Sequence, residues 1–371
     1  MSSEQSNSQE KKQGSSKKIL LIAGVVLVFI IIFGVLLFIF LNKDSETDDT
    51  DQTDQSTVTE DDQKEEEKEL TATLSWSQTH DENISSLAIS PDGESIAVGQ
   101  FLSVEVQNIE DGSSENKYTL EHTAEDIDYS KDGSKLGVGQ DAYGALLIST
   151  ADGEVLQELH SGYSNRIEFS PDGEQVATGN REGILWIWDA ATGQEVTALE
   201  EDGADWIHSL TYSPDGDLIA STHKDGTVNI WDVEEEEVAY SVTLSGLILE
   251  MKDPFVFSPD GQILAGPSKE DMDDIIQFWS TDDASKTKSI QVAERIKSLA
   301  FSPDGTMIAV ASQEETAVYK IETGSKLCTL SQTFQAGGTD SNLAIEFVTD
   351  SSIAVARNNG DLELWLLEEA E

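Results

Sequence analysis

The chain has 371 residues, a formal charge of −50 and a single cysteine. That length allows one large or two ordinary domains. One cysteine excludes an internal disulfide framework, and so acidic a chain excludes nucleic acid as a partner, because affinity there comes from neutralising phosphates with cations. The acidity is not confined to a tail: residues 71–371 carry fifteen Lys and Arg against fifty-seven Asp and Glu. It reads as a solubility device, or as adaptation to a salt-rich environment in which self-repulsion is screened.

Residues 1–18 are polar, contain Lys11, Lys12, Lys17 and Lys18, and hold too few apolar side chains to fold. From Ile19 to Leu41 there are 23 residues without a charge. As a helix they measure about 35 Å, enough to cross a hydrocarbon core of about 30 Å. A buried core helix of this uniformity would need a very large protein around it. A cleaved signal peptide would show a shorter apolar run and a small-residue exit, whereas this one leaves through Phe40, Leu41, Asn42 and Lys43. An uncleaved single-pass membrane anchor is expected. Four lysines precede it and only Lys43 closely follows, which predicts a cytoplasmic N-terminus and an extracytoplasmic remainder at the cell membrane. Residues 42–69 carry thirteen acids against three lysines and form a predicted disordered linker, roughly 30 Å in span as a flexible coil.

After the linker one beat repeats. Ser-Pro-Asp-Gly stands at Ser90, Ser170, Ser213, Ser258 and Ser302; Ser130-Lys131-Asp132-Gly133 varies it, and Val348-Thr349-Asp350-Ser351 is a decayed seventh copy. Its residues are those of a tight turn: proline sets φ, aspartate bonds its own backbone, and glycine takes positive φ. Apolar alternation flanks each copy, as at Leu87 and Ile89 before and Ile96 and Val98 after, so each is the turn of a β-hairpin. The intervals between copies run from 40 to 46 residues, the period of a four-stranded propeller blade. A second turn follows in each unit (Arg181-Glu182-Gly183, Lys224-Asp225-Gly226, Asn359-Gly360), then a third strand, and in most units a fourth, such as Glu195 to Leu199.

The pairs Trp188-Asp189 and Trp231-Asp232, the Asp225-Gly226 turn and the repeated Ser-Pro-Asp-Gly resemble the WD-repeat family, over residues 70–371. The resemblance implies an all-β, seven-bladed propeller of four-stranded antiparallel blades that serves as a protein-interaction scaffold without catalysis. It departs from the family where Asn108-Ile109-Glu110, Trp279-Ser280 and Tyr319-Lys320 replace Trp-Asp. The last unit ends after its third strand, at Trp365 to Leu367, while an extra strand, Thr71 to Trp76, precedes the first. Pairing the two closes the ring and removes the exposed edges.

Five histidines invite a catalytic or metal reading, but no His-x-x-His or His-Glu pair occurs. His80 and His160 stand ten residues before the turn serine, where the family places a structural histidine that bonds a turn aspartate such as Asp225; Glu182 stands opposite His160. Asp271-Met272-Asp273-Asp274 lacks the glycine and glutamate spacing of a calcium loop and reads as a solvated loop. Serine-nucleophile, Walker and dinucleotide motifs are missing, so no cofactor is expected. Cys328 lies in apolar alternation and reads as a buried structural thiol. Trp206, Tyr143 and Tyr163 lie in loops on the face where the family binds partners, and aromatic residues dominate binding hot spots. Trp206 packed between blades is the alternative. A protein partner with a basic surface fits the acidity; a small-ligand, glycan-binding or hydrolytic site in the central channel is the second reading.

Overall fold

The computed structural model describes residues 69–370, apart from 141–143, 202, 244–253, 271–272, 293–294, 313–314 and 332–341. The expected membrane span 19–41, the linker up to residue 68, Tyr143 and the Asp271-Met272 half of the acidic loop lie outside the described residues. All elements described are β-strands, and no helix among the described residues is long and apolar enough to cross a membrane.

The strands form seven four-stranded antiparallel sheets. In six of them the strands lie in chain order, for example Ser164–Phe169, Gln175–Asn180, Leu185–Asp189 and Glu195–Leu199 in blade three. The first strands of all seven blades contribute to the lining of one common cavity, so they are innermost and the fourth strands form the rim. The Ser-Pro-Asp-Gly turns therefore share one face of the ring. The turns between second and third strands and the connections between blades share the other, called here the loop face.

Each Ser-Pro-Asp-Gly turn is locked by its own side chains. The serine hydroxyl donates to the aspartate carboxylate at 2.5–2.8 Å in all six copies that keep both residues. In blade three, Asp172 Oδ1 also accepts the Glu174 amide and Ser170 Oγ accepts the Gln175 amide, both at 2.9 Å. The turns also touch one another. A Cβ built on Gly216 would lie 3.5 Å from Pro171 Cδ, and one on Gly305 3.5 Å from Pro259 Cδ. The decayed copy keeps this link differently: Asp350 accepts the Asp304 amide at 2.9 Å. The repeated turn is thus a contact between blades as well as a hairpin.

The apolar core lies between blades. Blade-one residues Ala88, Val104 and Val106 pack with blade-two residues Ile127, Leu136 and Val138. Corresponding clusters join each later pair, and the last joins blade seven (Ala354, Leu362) to blade one (Ile84, Leu87, Ile96). A single blade cannot bury both faces of its sheet alone, so stability passes around the ring from neighbour to neighbour.

Closure follows the expected topology. Leu70–Thr79 pairs with Asp361–Glu369 as the outer strand of blade seven, in register from Leu70↔Glu369 to Thr79↔Asp361, with a bulge between Leu74 and Trp76. The bulge lies just before Trp76, whose indole donates to the Ile109 carbonyl of blade one at 2.9 Å. Beyond the strand, the His80 amide donates to the Gly360 carbonyl at 2.8 Å, and His80 Nδ1 meets the same oxygen at 2.9 Å.

Gly360 has φ +91°, and a Cβ there would lie 2.7 Å from the carbonyl oxygens of both His80 and Glu82. Gly360→Ala is expected to destabilise the protein by about 1–3 kcal/mol, from backbone strain and the displaced closure. Amides of Leu70–Thr79 should then lose hydrogen-exchange protection ahead of blades two to four. Uniform loss of protection, or an unchanged Tm, would contradict the closure role.

Candidate functional site

A polar network built inside blades three and four holds the loop face in place. In blade four, the buried Trp231 indole donates to Ser221 Oγ at 2.8 Å. Ser221 Oγ meets His223 Nε2 at 3.0 Å, and His223 Nδ1 donates to the Asp205 carbonyl at 2.8 Å. The chain of bonds runs from the third strand, through the second, to the loop before the first. In blade three Trp188 Nε1 donates to Thr178 Oγ1 at 2.9 Å, and Asn180 donates to the Ser161 carbonyl at 3.2 Å. His223 and Asn180 occupy one structural position, ten residues after the turn serine; Gln100, Gln140, Ser268 and Ser312 are its counterparts. Polar residues at that interval were the sequence signal for this network.

The residues singled out from the sequence divide accordingly. Asp189 Oδ1 accepts the Thr192 amide at 2.7 Å, and Asp232 Oδ1 accepts the Glu235 amide at 2.9 Å, so each shapes the turn after its strand. Asp225 is exposed, and its Oδ1 accepts the Thr227 amide at 2.8 Å. His80 is buried at ring closure, where Gln107 Nε2 lies 2.6 Å from its Nε2. His160 is exposed, with Nε2 3.7 Å from Glu158, and the structural place expected of a histidine in these blades is filled by Asn180 and His223. Cys328 is half-buried against the cluster joining blades six and seven, and burial pushes its thiol up to about 11, which leaves it protonated and inert.

Trp206 and Tyr163 come together. Trp206 is half-buried on the loop face, its Nε1 3.4 Å from Asn165 Oδ1 and its ring centroid 4.3 Å from that of His208. The Arg181 guanidinium lies 4.6 Å from the Trp206 ring centroid and 5.4 Å from that of Tyr163. Tyr163 is 50 % exposed. The result is a stacked ledge, Tyr163–Arg181–Trp206–His208, across the boundary of blades three and four. Cation–π contact of this kind fixes a long side chain in one orientation. Sequence reading picked out the two aromatic residues but took Arg181 only as part of a turn and passed over His208. The signal available was the scarcity of cations: residues 164–243 contain only Arg166, Arg181 and Lys224.

The central channel encloses a cavity of about 340 Å³ whose lining includes Asp126, Asp128, Glu168 and Glu346. Carboxylates in a channel of this size invite a ligand or catalytic reading. Three of them are occupied with backbone. Asp126 accepts the Ile167 amide at 3.2 Å and the Ser86 hydroxyl at 3.1 Å; Asp128 accepts the Phe169 amide at 2.7 Å; Glu168 accepts the Tyr212 amide at 3.1 Å. The physical reason is the inner edge of each sheet. Its amides face no further strand, and in blades three and four an acid from the preceding blade bonds to them. Among the described residues no three His, Cys, Asp or Glu are grouped to hold a metal ion.

Residues 152–189, 193–232 and 287–317 match the family described as "WD domain, G-beta repeat". Each match begins at or just before the outer strand of one blade and runs into the third strand of the next, the same offset that lets the first strand of the chain close the ring. Short stretches resemble characterised proteins. Identity is 42 % over 41 residues to "Small ribosomal subunit protein RACK1" of Medicago sativa, covering 11 % of this chain and 13 % of that protein. It is 44 % over 45 residues to "WD repeat-containing protein 1" of Mus musculus, covering 12 % and 7 %. It is 42 % over 41 residues to "Cross-pathway control WD-repeat protein 2" of Flammulina velutipes, covering 11 % and 13 %. The chain therefore matches about one eighth or less of the length of these relatives. Three of its stretches thus match WD40 repeats, and its described strands form a seven-bladed propeller.

Burial, with Asp126 alongside, pushes Asp128 up to about 7 against its amide bond. Between pH 4 and 7 the folded protein thus holds a proton that the unfolded chain has released, and this contribution to stability falls as pH rises through that window. Asp128→Asn keeps an acceptor for the Phe169 amide and removes the charge. Its stability relative to the parent should rise by about 1–2 kcal/mol between pH 4 and pH 7 and stay level above. Urea titrations at pH 4.5, 6 and 8 measure this; a difference independent of pH would contradict it.

Proposed function

We propose that this protein is a non-catalytic platform for protein–protein interaction, held at the cell membrane by residues 19–41 and presenting its propeller outside the cytoplasm. The observation that carries the interaction reading is the Tyr163–Arg181–Trp206–His208 ledge: aromatic area held rigid by a stacked cation, at a boundary between blades, with one ring exposed. Rigid aromatic and arginine side chains on a fixed scaffold are the usual material of binding hot spots, because little side-chain entropy remains to be lost on association. The WD40 repeats support the same reading at family level. The channel carboxylates, engaged with backbone amides, lend no comparable support to chemistry in the channel.

The net charge of −50 favours a partner with a basic surface, steered at long range and weakened by salt. Residues 19–41 support the anchor by length and lack of charge, and the lysines before them support the orientation. The linker would repel anionic head groups and hold the propeller off the membrane.

Affinity capture with the purified full chain from envelope extract is expected to retain a protein that elutes as salt is raised. Tyr163→Ala with Trp206→Ala should lower its retention at least tenfold, the loss of about 1.4 kcal/mol or more, with the β-sheet circular dichroism retained. Retention unaffected by the double substitution would move the interaction site elsewhere. Membrane topology is tested independently: protease added to intact cells should release the propeller, and protection of the propeller until lysis would reverse the orientation.

A further inference from the structure

We propose that the partner is held in register by one of its own carboxylates, which seats against Arg166 on the loop face of blades three and four; this rests on the interaction reading above. Residues 164–243 hold three Lys and Arg against eighteen Asp and Glu. A random scatter would place those cations among acids on every surface of the two blades. Instead all three converge. Arg181 stacks on Trp206, Arg166 reaches the residue two beyond Trp206, and the Lys224 charge lies near enough to His208 to help hold its imidazole down.

Arg166 is the centre of the argument. It is only 7 % exposed, yet it has no carboxylate bond among the described residues. Its Nε donates to the His208 carbonyl and its Nη1 to the Asn165 carbonyl, the latter at 2.9 Å. A guanidinium has five N–H groups, so roughly three are left over, arranged as the planar fork that fits a carboxylate. A buried cation without an anion carries an uncompensated desolvation cost that a bound carboxylate would remove.

A second group points the same way. His208 is 6 % exposed, and its Nε2 is buried without a hydrogen-bond partner. Burial, with Arg166 and Lys224 nearby, holds the imidazole down to about 4, so it is neutral at physiological pH and can offer Nε2–H to an anion without adding charge. The neighbouring acid, Asp205, turns one oxygen back to the Trp206 amide at 2.8 Å. The ledge of Trp206 and Tyr163 supplies apolar cover beside these donors. The acidic surface at large attracts a basic partner, whereas this spot rewards one negative charge within it. Long-range charge sets the rate of encounter, and the local inversion sets the register.

The test uses two labelled heptapeptides, acetylated and amidated so that neither terminus is charged: Lys-Ala-Lys-Glu-Lys-Ala-Lys and its counterpart with Gln at the centre. Fluorescence anisotropy with the purified full chain at about 0.15 M salt should show the Glu peptide binding about tenfold tighter, the gain expected of one desolvated charge-assisted pair. Arg166→Gln should abolish that tenfold gap. Arg166→Lys, which keeps the charge and loses the fork, should retain part of the gap. Should Arg166→Gln fail to fold, Arg181→Gln on the exposed ledge is the substitute and should narrow the gap. Equal affinity for the two peptides, including no binding of either, overturns the proposal. So does a gap that persists in folded Arg166→Gln, or an Arg166-dependent gain from phosphoserine at the centre with none from Glu. Binding of the Gln peptide reports separately on the basic-partner reading, which survives if both peptides bind alike.

Discussion

The pairing of Leu70–Thr79 with Asp361–Glu369 is the constraint on which the other blades depend. Six blades complete themselves from consecutive strands; the seventh has only three until the first strand of the chain joins it. Without that strand, blade seven would expose an open edge, and the Leu70 and Ala72 side chains would leave the cluster they share with Leu330 and Leu367. Because every apolar cluster spans two blades, a gap anywhere exposes two sheet faces at once. Closure therefore converts a chain of nearest-neighbour contacts into a ring with no terminal unit. Gly360 and His80, which join the two ends beyond the paired strands, belong to this device.

A closed ring still has an inner edge on every sheet, and the channel carboxylates answer that problem. Asp126, Asp128 and Glu168 each reach an amide of the next blade's first strand, a bond that water in a narrow channel would make less regularly. The position has a cost, seen in the raised pKa of Asp128, because a charge away from bulk water and next to Asp126 is disfavoured. The same acids that suggest catalysis from composition thus hold first strands in register. On the loop face the logic is reversed: there the scarce cations and the aromatic rings gather, and buried donors such as His208 Nε2 remain without partners.

The blade count, the hairpin turns and the closing strand were legible because each rests on local rules: a period near 43 residues, apolar alternation, and turn chemistry that Ser, Pro, Asp and Gly satisfy within four positions. The structural role of Trp188 and Trp231 was legible in kind, but their partners were not. His160 had the expected interval and is exposed, while Asn180 and His223 do the bonding from the end of the second strand. The distance from that strand to the loop before the blade is set by how strands pair, and spacing along the chain does not encode it. Trp206 shows the same limit. Its loop position could be read, but whether it packed inward or lay on the surface depended on Arg181 and His208, one from the preceding blade and one from its own.

Sequence by itself determined what is repeated: seven units, their strand order, the acidity of the whole and the place of the uncharged run from Ile19 to Leu41. Tertiary structure decided what is singular. It joined turn to turn through Pro171 and Gly216, assigned the channel acids to the amides of neighbouring blades, and drew the three cations of blades three and four to one spot. The division has a physical cause. Turns and strands are stabilised by groups within a few residues, which a one-dimensional pattern records. Hydrogen bonds between blades join residues 41 and 44 positions apart, and only the closed ring sets those distances.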